Sequence, residues 1–414
     1  MISKEFHASR RAKLAEYIKP DSLAFIFCGE ERSEKGDQFY PFTPYANFYY
    51  LTGFEHPKAI LMINTTRGRY SETLFIDHPD EKMKRWIGTF YTQESVKEET
   101  GIENVLYLDA FERSIPLFSH PGTVKQVYID LVNWEGPSYV TPAQAFAKKV
   151  KDFDPTLPIH NLFDTIGHIR HIKTKEEIEL HRKACNVTEL GVKNILKHMK
   201  PGMHEYEVEA YFDFMLKMNN CKHAFGTIAA SSINACCMHY MQNDRLMEDG
   251  DMILFDLGAE AGYYAADVSR TYPVNGKFTE LQKKLYNIVL EALEQGIAMS
   301  KPGQNKNEIQ IAGRKLMAER LVEIGMIEKP EDISKYYFHG SGHYIGLYAH
   351  DVGEQDEILE EDAVFTLEPG LYFDDLNYGI RIEDTILITK DGCEVLSGGI
   401  PKTVEEIEAF MADR

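Results

Sequence analysis

The sequence predicts an α/β protein of two domains, a small α/β domain over residues 1–168 and a larger domain of helices and sheets over residues 169–414. In the first part, short apolar runs typical of strands alternate with stretches of helical periodicity. In the second part, a pattern of helix, Lys-Pro-Gly and second helix occurs twice, with the Lys-Pro-Gly copies starting at 200 and 301. The length of 414 residues agrees with two or three domains.

The elements of the N-terminal part are predicted from periodicity and from the turn residues between them. Residues 4–19 have the spacing of an amphipathic helix that ends before Pro20. The stretch LAFIFCG (23–29) has the continuous apolar character of a buried strand. The aromatic segment 31–54 contains two prolines, and we expect it to be a long loop. The other predicted elements are strands at 58–64, 72–77, 104–108 and 125–130, and helices at 80–86 and 142–153.

The predicted boundary between the two domains lies in the segment DTIGHIRHIKTKEEIELHRKA (164–184). Within it, the residues at 169–173 are predicted to form a linker strand. Thr174 is positioned to cap a helix that begins at Lys175, and Glu177, three residues after Thr174, completes a capping box.

The C-terminal part contains the internal repeat. The first copy leads to strands that carry Asp256 and Asp267, and the second copy leads to strands that carry Glu368 and Glu383. A pattern that occurs only twice is not a solenoid. The sequence therefore predicts two related halves about a pseudo-twofold axis, with the acidic residues between them.

These carboxylates stand where a soluble protein usually places apolar residues. The run Met252–Phe255 leads directly into Asp256, and Val364–Leu367 leads directly into Glu368. A carboxylate at the end of a buried strand is costly unless it is paired or bound to a metal. Two divalent cations would neutralise the four carboxylates, Asp256, Asp267, Glu368 and Glu383, and His343 would be a further ligand. Such a ligand set suits Mn²⁺, Zn²⁺ or Co²⁺, and the majority of oxygen atoms favours Mn²⁺.

Composition and missing motifs exclude several other functions. The net charge of −20 argues against binding to nucleic acid or to anionic membranes. No apolar run approaches the length of a transmembrane helix, and the first residues lack the apolar core of a secretory signal. The six cysteines form no CxxC pair, which favours a reduced, cytoplasmic protein. No GxGxxG follows a strand, and neither HExxH nor GxSxG is present.

The order D-x10-D, then His, Glu and Glu resembles the pita-bread metallopeptidase family (peptidase family M24), which includes methionine aminopeptidases, prolidases, aminopeptidase P and creatinase. The segment YPFTPYANFYYLTGFEHPKAILMI (40–63) is similar to the N-terminal domain of aminopeptidase P, which methionine aminopeptidases lack. The resemblance implies a pita-bread catalytic domain with pseudo-twofold internal symmetry. It also implies two divalent metal ions, with Asp267 and Glu383 bridging them, and the full set of implied ligands is Asp256, Asp267, His343, Glu368 and Glu383.

The same resemblance implies roles in catalysis. His239 and His350 match the two histidines on the substrate side, and Glu368 matches the ligand assigned to proton transfer. Arg381 and Tyr372 match an arginine and a tyrosine that adjust the charge of the centre and relay protons. The chain departs from the family at Ser232, where a glycine is frequent, and at Tyr348-Ala349 before His350. Both departures flank the substrate pocket and leave the ligands unchanged.

The implied activity is that of an Xaa-Pro aminopeptidase, which releases the N-terminal residue from peptides with proline in the second position. The alternative is a prolidase, which hydrolyses only Xaa-Pro dipeptides with the same kind of site. A non-catalytic binding module on the same fold is disfavoured because all five ligand positions keep their residue type. By the same resemblance, we expect a homodimer or a homotetramer.

Overall fold

A computed structural model describes residues 2–88, 91–118, 122–134, 136, 138–353 and 357–414. It divides the chain into two compact units, Met1–Ile169 and Arg170–Arg414. Among the described residues, no helix has both the length and the apolar character needed to cross a bilayer. All six cysteines are free thiols.

The first unit is built on a mixed six-stranded sheet. Its helices are α1 (Lys4–Ala15), α2 (Ala46–Thr52), α3 (Glu81–Ile87), α4 (Gln93–Thr100), α5 (Leu108–Phe118), α6 (Pro142–Phe153) and α7 (Phe163–His171). Its strands are β1 (Ser22–Phe27), β2 (Ser33–Lys35), β3 (Gln38–Phe39), β4 (Ile60–Asn64), β5 (Ser71–Ile76), β6 (Val105–Tyr107), β7 (Gln126–Ile129) and β8 (Ile159–Asn161). The sheet order is β6-β5-β4-β1-β7-β8, in which β4 is antiparallel to both of its neighbours and the other pairs are parallel.

An aromatic core joins this sheet to helices α5 and α6. Phe25 of β1 contacts Phe111 of α5 and Phe146 of α6, with ring centroids 5.9 Å and 4.7 Å apart. All three rings are buried. Each such ring removes a large apolar area from water, and edge-to-face pairs add to this gain. The predicted α/β domain is therefore confirmed, with helices packed on a sheet.

Two sequence predictions for local structure are wrong. The segment expected to be a loop contains helix α2, whose seven residues are all buried and which ends at Gly53 with φ +67°. Its burial stabilises a helix that aromatic composition alone does not favour. The predicted linker strand at 169–173 is helical as far as His171. Arg170 and His171 are polar and yet buried, so they do not mark the exposed face of a linker strand.

The second unit contains five helices and eleven strands among its described residues. The helices are α8 (Lys175–His198), α9 (Glu205–Met218), α10 (Glu280–Met299), α11 (Lys306–Glu323) and α12 (Val404–Ala412). The strands are β9 (Lys222–His223), β10 (Ile228–Ser231), β11 (Met252–Leu257), β12 (Ala259–Ala261), β13 (Tyr264–Ala265), β14 (Val268–Pro273), β15 (Val364–Leu367), β16 (Gly370–Phe373), β17 (Tyr378–Arg381), β18 (Asp384–Thr389) and β19 (Gly392–Val395). Helix α8 begins at Lys175 as predicted, and Glu177 accepts the N–H of Thr174 at 2.7 Å.

The predicted internal repeat is confirmed as two helix pairs with equivalent turns. Gly202 between α8 and α9 has φ +88°, and Gly303 between α10 and α11 has φ +84°, a backbone conformation that favours glycine. The N–H of Gly202 donates to the carbonyl of Met247 at 2.8 Å, and the N–H of Gly303 donates to that of Leu359 at 2.9 Å. Each helix pair packs on antiparallel strands, in the orders β10-β11-β14 and β15-β18-β19.

Helix α8 packs on α9 so closely that one position admits only glycine. A Cβ atom at Gly191 would lie 2.2 Å from a ring carbon of Phe212, which is fully buried. A Cβ atom at Gly313 in α11 would have its nearest neighbour, in Ala292, at 4.0 Å, an ordinary van der Waals distance.

Gly191→Ala and Gly313→Ala should therefore change stability in opposite directions. Overpacking at 191 should lower the free energy of unfolding by about 1–3 kcal/mol. At 313, alanine should raise it by roughly 0.5–1 kcal/mol, because alanine favours the helix over glycine. Urea unfolding followed by the helical circular-dichroism signal measures both changes. Equal midpoints for the two variants would contradict this account of the packing between α8 and α9.

Candidate metal centre

The two predicted aspartate ligands lie at one end of the first antiparallel sheet. Asp256 is near the end of β11, and Asp267 immediately precedes β14. Asp256 is paired with Ser269 across these strands. Since β11 and β14 run antiparallel, the end of one lies beside the start of the other, and both carboxylates lie at that edge.

The second half repeats this arrangement with glutamates. Glu368 follows β15, and Glu383 precedes β18. The pairing of Leu367 with Asp384 places the two glutamates at the same end of these strands. The N–H of Glu383 donates to the carbonyl of Ser269 at 2.9 Å. This bond joins the two halves at the edge where their carboxylates meet.

His343 is attached to the second half by two hydrogen bonds to Thr366 of β15. Its N–H donates to the Thr366 hydroxyl at 3.1 Å, and its carbonyl accepts the N–H of Thr366 at 2.8 Å. The ring Nε2 lies 3.5 Å from Oδ2 of Asp267 and 4.0 Å from Oε1 of Glu368. One potential ligand atom each from Asp267, His343 and Glu383 lies within 4.8 Å of the others, which is close enough for a shared metal ion.

The electrostatics of the cluster fit a cation site. Burial raises the pKa of Asp267 and of Glu383 well above the usual range, and the neighbouring carboxylates raise both further. Burial also raises the pKa of Glu368 to about 7, although the Arg381 guanidinium opposes the shift. Among the described residues, the buried Oδ1 of Asp256 has no hydrogen-bond partner. Divalent cations would take the place of these protons and supply that oxygen with a partner.

His343 is well suited to act as a neutral ligand. Burial lowers its pKa to about 4, and His350 nearby lowers it further. Its Nδ1 lies 3.2 Å from the carbonyl of Tyr344. A proton on Nδ1 would be donated to this carbonyl, which leaves the lone pair of Nε2 directed to the carboxylates. Such a bond to the second ring nitrogen is the usual way in which proteins orient a metal-binding histidine.

Arg381 connects the carboxylates to a chain of polar groups. Its guanidinium donates to Asp256 at 2.6 Å, to the hydroxyl of Ser269 at 2.7 Å and to the hydroxyl of Tyr372 at 3.1 Å. The Ser269 hydroxyl donates in turn to Oε2 of Glu383 at 2.8 Å. Arg381 therefore holds one carboxylate from each half, directly or through Ser269.

The chain of polar groups continues through a hydrogen bond from Tyr372 to His339, a residue that the sequence did not indicate. The Tyr372 hydroxyl lies 2.8 Å from Nε2 of His339, and Nδ1 of this histidine lies 2.6 Å from the carbonyl of Gly340. A proton on Nδ1 satisfies that carbonyl, so Tyr372 donates to Nε2. Burial raises the pKa of Tyr372 to about 12 and lowers that of His339 to about 4. His339 is the first residue of the segment HGSGHY (339–344), which contains the predicted ligand His343. This proximity in sequence was the signal that could have identified His339.

The two predicted substrate-side histidines, His239 and His350, are exposed and lie outside helices and strands. The ring of His350 lies 4.2 Å from the ring of His343, centroid to centroid. His239 follows a 3-10 turn at Ser232–Cys236. This turn packs closely against β17. A Cβ atom at Gly379 of β17 would lie 2.4 Å from the carbonyl oxygen of Ala235 in the turn. The structure thus places His350 at the centre and the loop of His239 against the strand that carries Arg381.

The structure explains one of the two departures from the family pattern. Ser232 has φ +55°, a conformation that glycine adopts at lower cost, which accounts for the glycine that is frequent at this position. Tyr348 lies under the guanidinium of Arg170, 5.8 Å from carbon to ring centroid.

Two family models match the chain. The model of metallopeptidase family M24 matches residues 179–390, and that of the aminopeptidase P N-terminal domain matches residues 7–128. The first match spans about half of the chain and includes every residue predicted to bind metal.

Relatives and solved structures agree with these matches over the whole length. The chain is 31% identical to an Xaa-Pro aminopeptidase of Escherichia coli and 30% identical to one of Haemophilus influenzae, in both cases over 99% of this chain and 98% of the relative. A solved structure of a proposed aminopeptidase P from Bacillus anthracis superposes with a TM-score of 0.96 at 42% identity, covering 100% of this chain and 99% of that one. The zinc-substituted Escherichia coli aminopeptidase P in complex with product gives a TM-score of 0.93 at 30% identity, with the same coverage. The carboxylate cluster, the two helix pairs and these matches agree: the chain belongs to metallopeptidase family M24 and, within it, to the aminopeptidase P group.

Proposed function

We propose that this protein is an Xaa-Pro aminopeptidase that works with two divalent cations. One observation carries the proposal, namely the convergence of four carboxylates and one imidazole in a site where burial raises the pKa of Asp267, Glu368 and Glu383. Five side chains would hold the cations: Asp256, Asp267, His343, Glu368 and Glu383. Because most of these ligand atoms are oxygens, Mn²⁺ is the proposed native ion.

The chemistry follows from what such a centre supplies and from what the side chains around it do. When bound, the cations would polarise the scissile carbonyl and make water nucleophilic near neutral pH. Glu368 holds and moves a proton, since a pKa near the working pH is what a general acid–base group needs. Arg381 keeps Asp256 oriented and compensates its charge. Tyr372, which donates to His339, can pass a proton along that bond.

The proposed role of the two exposed histidines, His239 and His350, is to contact the substrate. His350, beside His343, would donate to the substrate carbonyl or to the oxyanion that forms there, and His239 would help to place the scissile bond. Donors aimed at developing charge commonly contribute strongly to catalysis. Residues 169–414 are therefore the proposed catalytic domain, and residues 1–168 the proposed accessory domain.

The proposed substrates are peptides with proline in the second position, in line with the names of the relatives. A prolidase, restricted to Xaa-Pro dipeptides, is the second candidate, since it would use the same ligand set. We further propose a cytoplasmic location, supported by six free thiols, and assembly as a homodimer or homotetramer, which rests on resemblance to the family.

A peptide panel tests the activity. Metal-loaded protein should release the first residue from Xaa-Pro-Yaa tripeptides and leave the matched Xaa-Ala-Yaa peptides intact. Chelation should abolish turnover, and added Mn²⁺ should restore more of it than Zn²⁺ or Co²⁺. Cleavage confined to Xaa-Pro dipeptides would select the prolidase alternative, and undiminished turnover after chelation would rule out the metal mechanism.

Glu383→Ala and His350→Ala should separate metal ligands from substrate-side groups. Loss of Glu383 removes a proposed shared ligand, so metal content and turnover should fall together. His350→Ala removes a donor to the substrate, which typically costs about 10²–10³ in kcat, and its metal content should match the parent. Elemental analysis and peptide kinetics provide the two measurements. If His350→Ala also loses metal, His350 supports the cations and its assigned role is wrong.

Proton release on metal binding tests the charge balance of the centre. An acid whose folded pKa is raised stabilises the fold while it is protonated, so the melting temperature of metal-free protein should fall as pH rises through about 7. Mn²⁺ should displace these protons, and calorimetry in buffers of different ionisation enthalpy should detect more release near pH 6 than near pH 8. Glu368→Gln should release fewer protons than the parent. Release that does not depend on pH would contradict the raised pKa values.

A further inference from the structure

Glu205, the first residue of α9, is a buried carboxylate that the metal centre does not use. It accepts five hydrogen bonds, and all five donors belong to the segment 231–245 that carries His239. Its Oε1 accepts from the N–H and the hydroxyl of Ser231, both at 2.6 Å, and from Nδ2 of Asn234 at 3.2 Å. Its Oε2 accepts from the hydroxyl of Tyr240 at 2.8 Å and from the N–H of Arg245 at 2.9 Å.

The charge of this buried carboxylate is well compensated. The N-terminus of α9 contributes a favourable dipole. The guanidinium of Arg245 donates to the Ser231 hydroxyl at 2.9 Å, so this hydroxyl directs its own proton to Glu205. Such a fully satisfied buried network is rigid, because any rearrangement leaves a buried polar group without a partner.

The segment has a second attachment point close to His239. Asn243 has φ +48° and is buried. Its side chain accepts the N–H of Ala229 at 3.1 Å and donates to the carbonyl of Thr227 at 2.9 Å. Tyr240, the neighbour of His239, is buried in an apolar cluster that also contains Tyr372. The exposed ring of His239 therefore extends from a backbone that is fixed on both sides.

We propose that Glu205 is a positioning residue, which holds segment 231–245 in the conformation that presents His239 to the substrate. This inference rests on the substrate-side role proposed for His239. Glutamine at 205 would keep the shape of the side chain but replace one acceptor oxygen by an NH₂ group. That group would then face two or three donors, and the segment would have to rearrange.

A double-mutant cycle with His239→Ala tests the inference through kcat/KM on an Xaa-Pro tripeptide and through metal content. Glu205→Gln should lower kcat/KM by about 10²-fold, the effect of a misplaced catalytic group, and should keep the metal content of the parent. In the His239→Ala background, the same change should lower kcat/KM by less than about twofold, because its effect acts through His239.

The possible failures can be told apart. If Glu205→Gln costs the same factor with and without His239, Glu205 supports the fold in general and the inference is overturned, while the role of His239 stands. If His239→Ala alone keeps full turnover, the proposed role of His239 is wrong and the inference falls with it.

Tyr240→Phe is a milder variant that decides the question if Glu205→Gln does not fold. It removes one donor to a charged acceptor, and kcat/KM should fall about tenfold, again only when His239 is present. Hydrogen exchange should be faster in segment 231–245 and unchanged elsewhere. Glu207→Gln is the control and should match the parent, since Glu207 lies in the same helical turn, is exposed and, within the described part of the chain, bonds only to His204. Parent-like kcat/KM and exchange in Tyr240→Phe would overturn the inference.

Discussion

Repulsion between four carboxylates that meet in a buried site is the constraint on which the catalytic unit depends. Asp256 and Asp267 come from one half of this unit, and Glu368 and Glu383 come from the other. Apolar strands lead into this edge from both halves, and Asp267 and Glu383 are buried there, so water screens their charges only weakly. Protons or cations at this edge would reduce the repulsion between the halves, and burial together with the neighbouring carboxylates raises the pKa of Asp267 and of Glu383.

Fixed cations of the protein itself compensate the layer behind this cluster. Arg381 is paired with Asp256, and Arg270 is fully buried in an ion pair with Asp384 at 2.6 Å. Asp384 also accepts from Lys402 at 2.6 Å and from Ser397 at 2.7 Å, and these partners hold its pKa well below the usual range. Asp384 therefore remains ionised beside Glu383 without any metal. Two acids adjacent in sequence thus differ, because Asp384 has Arg270 and Lys402 as fixed basic partners.

The features that could be predicted from the sequence are those where a residue differs from the pattern around it. Asp256 and Glu368 interrupt apolar runs, and the Lys-Pro-Gly turns mark both helix pairs, so these features could be read directly. Helix α2 could not, because tertiary burial stabilises it against its composition. Glu205 has the appearance of an ordinary acid in a first helical turn. Its partners lie 26 to 40 residues away in the chain, and no periodicity encodes such contacts. His339 was missed for the same reason, since Tyr372 follows it by 33 residues.

The division of the centre between two similar halves would couple metal binding to folding. Neither half alone brings together the two carboxylates that would be shared, since Asp267 belongs to the first half and Glu383 to the second. A chain in which only one half has formed would offer a cation two carboxylates instead of four, which is a weaker site. A ligand that binds only the native arrangement stabilises it by mass action. The ions would therefore stabilise the fully folded second unit. Nascent chains would thus acquire their tightest metal affinity, and their hydrolytic capacity, only at the last step of assembly.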